Sequence, residues 1–331
     1  MRKILAVSGG IDSMVLMHIF RDDPETCVVH FDHGTRKSSA DDADFVRKTA
    51  EKYSLEFFSK RAKLGENVSE ETARISRYEY FSQISEKVGG EIFTAHHGGD
   101  LVETIAINLV RGTGWRGLVP FGNKMVWRPF VETGLLPHEA AEELFTYSVS
   151  DLTGVNLNSD GDFSAESAGY FAERFIVSKK AIYKYAYVHD ISFRQDPTNA
   201  DDKYLRNRVR EKLRFLPDYN IAELFKIYHQ MNNLKLGVES MVDGILVKTD
   251  NDGGSGFGTG AVKRYPREWF AEMDDEVALE ILREILKRTQ ISATRPQMLD
   301  FLQAIRNYSS GKYFNLPDDK LVKITKSWFI L

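Results

Sequence analysis

The 331-residue sequence has one cysteine, Cys27, only nine prolines, and no apolar run long enough to cross a bilayer. A single thiol excludes a disulfide framework and any chemistry built on paired cysteines, such as an iron–sulfur cluster or a persulfide relay. It points to a reducing compartment, the cytoplasm, with no membrane partner. Charge of one sign is missing too. With 44 Lys and Arg against 48 Asp and Glu, the formal net charge of −4 makes any polyanion site a local patch. The first strand is expected to begin almost at Met1, leaving no room for a signal peptide. No internal repeat is visible, and the length suffices for two domains.

What is present is alternation. Apolar strand-like runs at 4–7, 26–31, 55–60 and 91–97 alternate with helical patterns from about Ser13 to Phe20 and at 38–53, 69–88 and 100–110. The third helix opens on Ser69 and Thr72 in a capping-box-like pattern. Alternation of this kind predicts an α/β fold, a doubly wound parallel sheet with helices on both faces and ligands at the C-terminal strand ends. Residues 1–132 are expected to form the first domain, and the acidic 139–175, within the stretch 133–176 that follows, reads as a surface excursion with short helices. Residues 177–217 complete the domain, and 218–331 make a smaller, mainly helical one. Helical periodicity covers 203–248 and 266–306, the glycine-rich 251–260 reads as a flexible connection, and the sequence after Lys312 alternates as a closing β-hairpin.

Several short stretches carry chemistry. In "SGGIDS", Ser8, Gly9, Gly10, Ile11, Asp12 and Ser13 sit between a strand and a helix, where glycines let backbone N–H groups approach an anion. The spacing and lysine of a Walker A loop are missing. Asp12 would repel bare phosphate and makes sense beside Mg²⁺ or as a helix cap; the loop alone is equally a plain Gly-Gly turn. "HFDHGTR" places His30, His33 and Arg36 at the next strand end. In "TAHHGGDLVET", His96, His97 and Asp100 stand at a strand end and helix start, and Asp100, Glu103 and Thr104 share one helical face. Two carboxylates there suit Mg²⁺ or an amine substrate, or simply complement the helix dipole. "ARISRY" adds Arg74 and Arg77; "RGTGWRGL" adds Arg111 and Gly112. From Lys203 to Arg214 six basic residues face one acid, Glu211, so that Arg206, Asn207, Arg208 and Arg210 lie in a footprint suited to a phosphate backbone or to solvent.

"SGGIDS", "HFDHGTR", "ARISRY", "TAHHGGDLVET", "RGTGWRGL", "RP" and "DPTNADDKYLRNRVR" occur in the order found in bacterial tRNA(Ile)-lysidine synthetases, which this sequence closely resembles over 3–131 and again over 177–217. The resemblance implies a PP-loop fold of the adenine nucleotide alpha-hydrolase-like kind, with ATP and Mg²⁺ as cofactors. It implies adenylation of the wobble cytidine in a CAU-anticodon isoleucine tRNA and attack by free L-lysine. The loop would then hold departing pyrophosphate, so no Walker lysine is needed. By this resemblance Asp100, Glu103, Arg74 and His96 are the catalytic candidates. Ser8 to Ser13, His33, Arg36, Arg111 and Gly112 would hold the nucleotide, Asp12 and Asp100 the metal, and Arg206, Asn207, Arg208 and Arg210 the tRNA.

Two features depart from the family pattern. The acidic stretch 133–176 lacks a counterpart and reads as a gate or partner surface. No longer C-terminal domain follows the hairpin, so acceptor-stem discrimination is expected to be weaker or carried differently. A tRNA thiolase is disfavoured by the single cysteine. A PP-loop ligase acting on a small substrate and a non-catalytic or gated tRNA binder remain as alternatives, and the oligomeric state stays open, a homodimer included.

Overall fold

The computed structural model describes residues 2–34, 39–62, 70–121, 126–153, 177–194, 205–213, 215, 218–251, 263–317 and 319–331. Arg36, Ser69, the stretch 154–176 and the glycine-rich 252–262 lie outside the described residues, as do Lys203, Tyr204 and Arg214. The chain divides into two compact units, Met1–His229 and Gln230–Leu331.

In the first unit the apolar runs become strands β1 (Arg2–Ala6), β2 (Thr26–Asp32), β3 (Glu56–Arg61), β4 (Gly90–Thr94) and β5 (Val126–Trp127). Every pairing is parallel and the order is β3-β2-β1-β4-β5, so the expected doubly wound sheet is present. The order reverses between β1 and β4, and the crevice at such a reversal is where ligands bind in open α/β sheets. Successive strand residues face opposite sides. Leu5, Val28 and Phe93 therefore enter one core with helices α1 (Ile11–Ile19) and α2 (Ser39–Lys52), while Ile4, Cys27, Val29 and Ile92 enter the other with α3 (Glu70–Val88). Helix α4 (Gly98–Val110) follows β4. Cys27 is fully buried, and burial pushes its thiol up to about 11, which makes it an inert core residue.

The segment after Glu132 differs from the expected surface excursion at its start. Helix α5 (His138–Thr153) sends Leu136, just before it, and Ala140 and Leu144 into the main core. They pack beside Val177 and beside Ala181, Ile182 and Tyr185 of α6 (Lys179–Val188). Glu139 and Glu142 are exposed while Glu143 meets His189 Nε2 at 3.0 Å, and three apolar side chains at helical spacing suffice to bury the inner face.

The basic stretch forms α7 (Leu205–Leu213), and the helical pattern resumes in α8 (Asp218–Asn251), which runs on into the second unit. The helical pattern expected over 203–248 is thus carried by two helices, with Phe215 in a turn between them. In the second unit the 266–306 pattern resolves into α9 (Glu268–Ala271), α10 (Asp275–Arg288) and α11 (Arg295–Asn307). Asp274 caps α10 and the Thr294–Gln297 capping box starts α11. The expected hairpin, β7 (Tyr313–Leu316) with β8 (Lys320–Ile324), is enlarged to four strands. The order is β6-β9-β8-β7, with β9 (Trp328–Ile330) and β6 (Arg264–Pro266) completing the sheet. A lone hairpin is marginal in water, and the added strands bury Val322, Ile324 and Phe329 against α10 and α11. Among the described residues no helix is long and apolar enough to cross a membrane.

One buried cluster in the first unit makes stability depend on pH. His18, in the last turn of α1, lies against Tyr185, His189 and Tyr53, with Arg21 Nη1 at 3.0 Å from its Nδ1. Burial, then the charges of Arg21 and His189, hold it down to about 4, against the opposing carboxylates of Asp22 and Glu143. The native ring is neutral, so protons favour the unfolded chain once pH drops below about 6.5. The stabilisation from a neutral His18 is complete above that value and is lost as pH falls towards 4. His18→Gln is expected to flatten the pH dependence of unfolding over that window by about one proton, roughly 1.4 kcal/mol per pH unit. Urea titrations at several pH values check this; an unchanged slope would mean that His18 is not the titrating group.

Candidate active site

The loop after β1 turns at Gly9, whose φ of +94° lies in the region open to glycine, and a Cβ there would meet Val46 of α2 at 3.4 Å. Two serines brace it. Ser13 Oγ donates to the Gly10 carbonyl (2.9 Å) and accepts from the Ser8 amide (3.1 Å), and the two hydroxyls lie 3.2 Å apart. Gly10 caps α1 without a side-chain hydrogen bond, which leaves the helix's partial positive charge directed at the loop. Ile11 is buried and anchors the turn in the core.

At the end of β2, His30 Nδ1 is 2.8 Å from the Val7 carbonyl, and this buried ring ties the first two strand ends together. Asp32 accepts from Gly34 N at 2.7 Å, and Gly34, at φ +67°, would drive a Cβ to 2.3 Å from the Ala62 carbonyl oxygen. Only glycine fits there. His33 packs its ring edge-on against Phe31, and its Nδ1 is buried without a hydrogen-bond partner among the described residues. Burial, then the charge of Arg77, lowers its pKa.

The third strand end contributes most of the charge. His97 Nδ1 accepts from Gly99 N (2.9 Å), which fixes the proton of the neutral ring on Nε2. That Nε2 faces Asp12 Oδ1 at 3.8 Å and Asp100 Oδ2 at 3.6 Å. Asp100 Oδ2 also accepts the His97 backbone N–H at 3.0 Å, so the two residues cap α4 reciprocally. Burial pushes the Asp100 carboxyl up, but the His97 ring and backbone N–H, with the neighbouring His96 ring and the Arg206 guanidinium, together hold it below the usual range. His96 bonds Thr94 Oγ1 at 2.8 Å and packs on Phe121. Burial brings it down to about 4 against the pull of Asp100, and Arg128, Arg77 and Arg74 lower it further. It is therefore a neutral imidazole at neutral pH, a hydrogen-bond partner or base and no cation. Arg74 itself is exposed and lies over Tyr78.

Glu103 is buried and clasped by the basic helix. Arg210 Nη2 donates to its Oε2 at 3.0 Å and Arg210 Nε to its Oε1, with Arg206 Nε at 3.9 Å. Two residues singled out for different roles thus neutralise each other, whereas Arg208 stays exposed. Asn207 lies within α7, between Arg206 and Arg208. Arg111 and Gly112 are not brought to this cluster. They follow the C-terminal end of the 13-residue α4, about 20 Å along the helix from His97.

One residue of the site escaped the sequence reading. Val177 is stitched between two strand ends, its N–H donating to Phe130 O (2.9 Å) and its carbonyl accepting from Gly98 N (3.1 Å). Helix α6 therefore starts at the site, and Lys179 Nζ donates to both oxygens of Asp12, at 2.6 and 2.7 Å. The sequence did carry a signal. Lys179 and Lys180 occupy a first helical turn, where the dipole disfavours cations.

Residues 1–134 and 174–216, more than half of the chain, match the family model described as the PP-loop domain. Among curated relatives, the tRNA(Ile)-lysidine synthase of Exiguobacterium sibiricum is 30% identical over 217 residues, 63% of this chain and 42% of that one. The tRNA(Ile)-lysidine synthase of Leptospira interrogans is 28% identical over 269 residues, 75% of this chain and 50% of the other. The one from Staphylococcus epidermidis is 22% identical over 356 aligned residues, covering 99% of this chain and 70% of its own. The chain thus spans half or less of the first two relatives. Of solved structures, the U34-tRNA thiolase NcsA from Methanococcus maripaludis, with its [4Fe-4S] cluster, matches at a TM-score of 0.47 and 15% identity. That match covers 70% of this chain and 72% of the other. The chain belongs to the PP-loop domain family, and these curated relatives are tRNA(Ile)-lysidine synthases.

Proposed function

We propose that the protein is a tRNA(Ile)-lysidine synthetase, which adenylates the wobble cytidine of a CAU-anticodon isoleucine tRNA and joins free L-lysine to it. The observation that carries the reading is the convergence, at the switch point of one parallel sheet, of the Gly9–Gly10 loop with Asp12, His97 and Asp100. The names of the curated relatives support the substrate pair.

The cytidine O2 attacks the α-phosphorus of ATP and pyrophosphate departs. The ε-amine of lysine then attacks C2, AMP leaves with the oxygen, and the amine nitrogen gives up its protons. The uncapped start of α1 and the loop N–H groups fit the phosphate chain, and the unpartnered His33 Nδ1 fits a polar atom of the nucleotide. Mg²⁺ with phosphate oxygens among its ligands needs only one or two carboxylates, which Asp100 and the Asp12 lone pairs not taken by Lys179 would provide. No group of three or more His, Cys, Asp or Glu suited to a metal exists among the described residues, so the donors fit an ion carried by the nucleotide and no protein-caged one. When bound, the ion neutralises charge on the phosphates. Asp100, held ionised, binds the lysine ammonium and accepts a proton from it, because an amine of pKa about 10.4 must be deprotonated to attack. Arg206 and Arg208 on α7 meet phosphates of the tRNA.

Mass analysis of a CAU-anticodon isoleucine tRNA, incubated with the protein, ATP, Mg²⁺ and lysine, tests the reading. The expected result is a lysine-sized gain on the wobble cytidine that disappears when ATP or lysine is omitted. Pyrophosphate release without that gain would keep the adenylation half and discard lysine. Silence in both assays would favour a gated or inactive tRNA binder. For the basic helix, Arg208→Ala is expected to weaken tRNA binding and reduce the slope of log K against log salt by about 0.7–0.9. An unaltered slope would place this side chain away from RNA.

A further inference from the structure

Lys179 has no role in the reaction as set out above, yet it lies in the middle of the site. Its ammonium spans both carboxylate oxygens of Asp12, and Asp12 is in the loop itself, in the first turn of α1. The side chain is still 38% exposed, and Asp12 is 30% exposed, so the pair faces the crevice and is no core ion pair. Surface ion pairs of this exposure contribute little to stability. Lys179 also breaks a local rule by placing a cation in the first turn of α6, whose start is pinned by Val177 to Phe130 and Gly98. Local rules are broken most often where function requires it.

We propose that Lys179 is the phosphate-binding cation of this site, delivered from the start of α6 in place of the lysine that the loop lacks. The inference rests on the reading that the loop holds nucleotide phosphates. An ammonium has three N–H donors. Two are directed at Asp12, which leaves the third for a phosphate oxygen at the loop. Asp12 thus serves two purposes. It holds the lysine at the loop, and its own charge, otherwise repelled by phosphate, is offset by the ammonium. In the sequence the two residues are 167 positions apart, so the cation is supplied by the far side of the acidic stretch. Because the first turn of α6 is carried by Val177, chain continuity links the end of that stretch directly to phosphate binding.

Equilibrium binding of ATP, pyrophosphate and adenosine to the full chain tests this, with Lys179→Met and Lys179→Arg compared to the unaltered protein. Lys179→Met is expected to weaken ATP and pyrophosphate by about 10- to 100-fold, the worth of a charged hydrogen bond, and to leave adenosine unchanged. Lys179→Arg should recover most of the loss. Equal affinities for ATP in all three proteins, or a loss equal for adenosine and ATP, would overturn the proposal and leave Lys179 a structural tie. Should the methionine variant fail to fold, Lys179→Gln keeps one hydrogen bond to Asp12 without the charge; normal ATP affinity in it would overturn the proposal as well. If the unaltered protein binds neither ATP nor pyrophosphate, the nucleotide reading itself fails, and the inference with it.

Discussion

Asp100→Asn is expected to lower lysine transfer by 100-fold or more while leaving the fold and tRNA affinity close to those of the unaltered protein. The substitution is isosteric. An asparagine oxygen still accepts the His97 backbone N–H that starts α4, so the cap survives. What disappears is the negative charge, which the ring and N–H of His97 hold below the usual carboxylate range despite burial. That charge is what would bind a lysine ammonium and take its proton, and general-base contributions of this type are worth about 10²–10⁴ in rate. Pyrophosphate release in the presence of tRNA separates the two half-reactions. If adenylation persists and lysine transfer stops, Asp100 acts on the amine. If both stop together, its place is at the phosphates. Unchanged product formation removes it from the mechanism.

Arg210→Met should destabilise the first unit by about 3 kcal/mol or more, a far larger effect than Glu103→Gln. The asymmetry comes from burial. The Glu103 side chain is 7% exposed and that of Arg210 is 35% exposed. Removing the arginine strands a carboxylate away from water, with Arg206 at 3.9 Å the one cation left to answer it among the described residues. Removing the carboxylate's charge frees a guanidinium that water already reaches. The double variant Glu103→Leu with Arg210→Met should recover most of the loss, because an apolar pair of similar volume avoids desolvating either charge. Urea unfolding of the four proteins gives the coupling directly. Equal costs for the two single variants would show that the pair is solvated in solution. The same measurement qualifies the basic helix as an RNA footprint, since a loss of tRNA binding in Arg210 variants would first have to be separated from loss of the α4–α7 attachment.

The fold of the first unit was legible because its signals are local. Alternation of strand and helix periods predicts a parallel sheet, and a right-handed crossover leaves few orders for the strands. Gly9 could be read as a turn glycine, and its positive φ gives the reason; Gly34, which the sequence did not single out, combines a positive φ with a Cβ that would collide with the Ala62 carbonyl. Breaks in the second unit were harder to see. Periodicity over 266–306 does not separate three short helices in one apolar register, and the caps at Asp274 and Thr294 carry that information. Composition misled at the start of the acidic stretch, where Ala140 and Leu144 of α5 and the preceding Leu136 outweigh the surrounding glutamates by filling a core.

Within the site, the sequence alone identified which residue types stand at the ends of β1, β2 and β4, since each strand end is marked by its own motif. Which charges neutralise one another was decided only in three dimensions. Glu103 and Arg210 are 107 positions apart, and Asp12 and Lys179 are 167 apart. No periodicity or spacing links such pairs. They meet because the strand order β3-β2-β1-β4-β5 sets the starts of α1 and α4 side by side, and because Val177 is stitched to both Phe130 and Gly98. Turn chemistry and side-chain period act over a few residues; the pairing of charges depends on which surfaces the folded sheet brings within about 4 Å.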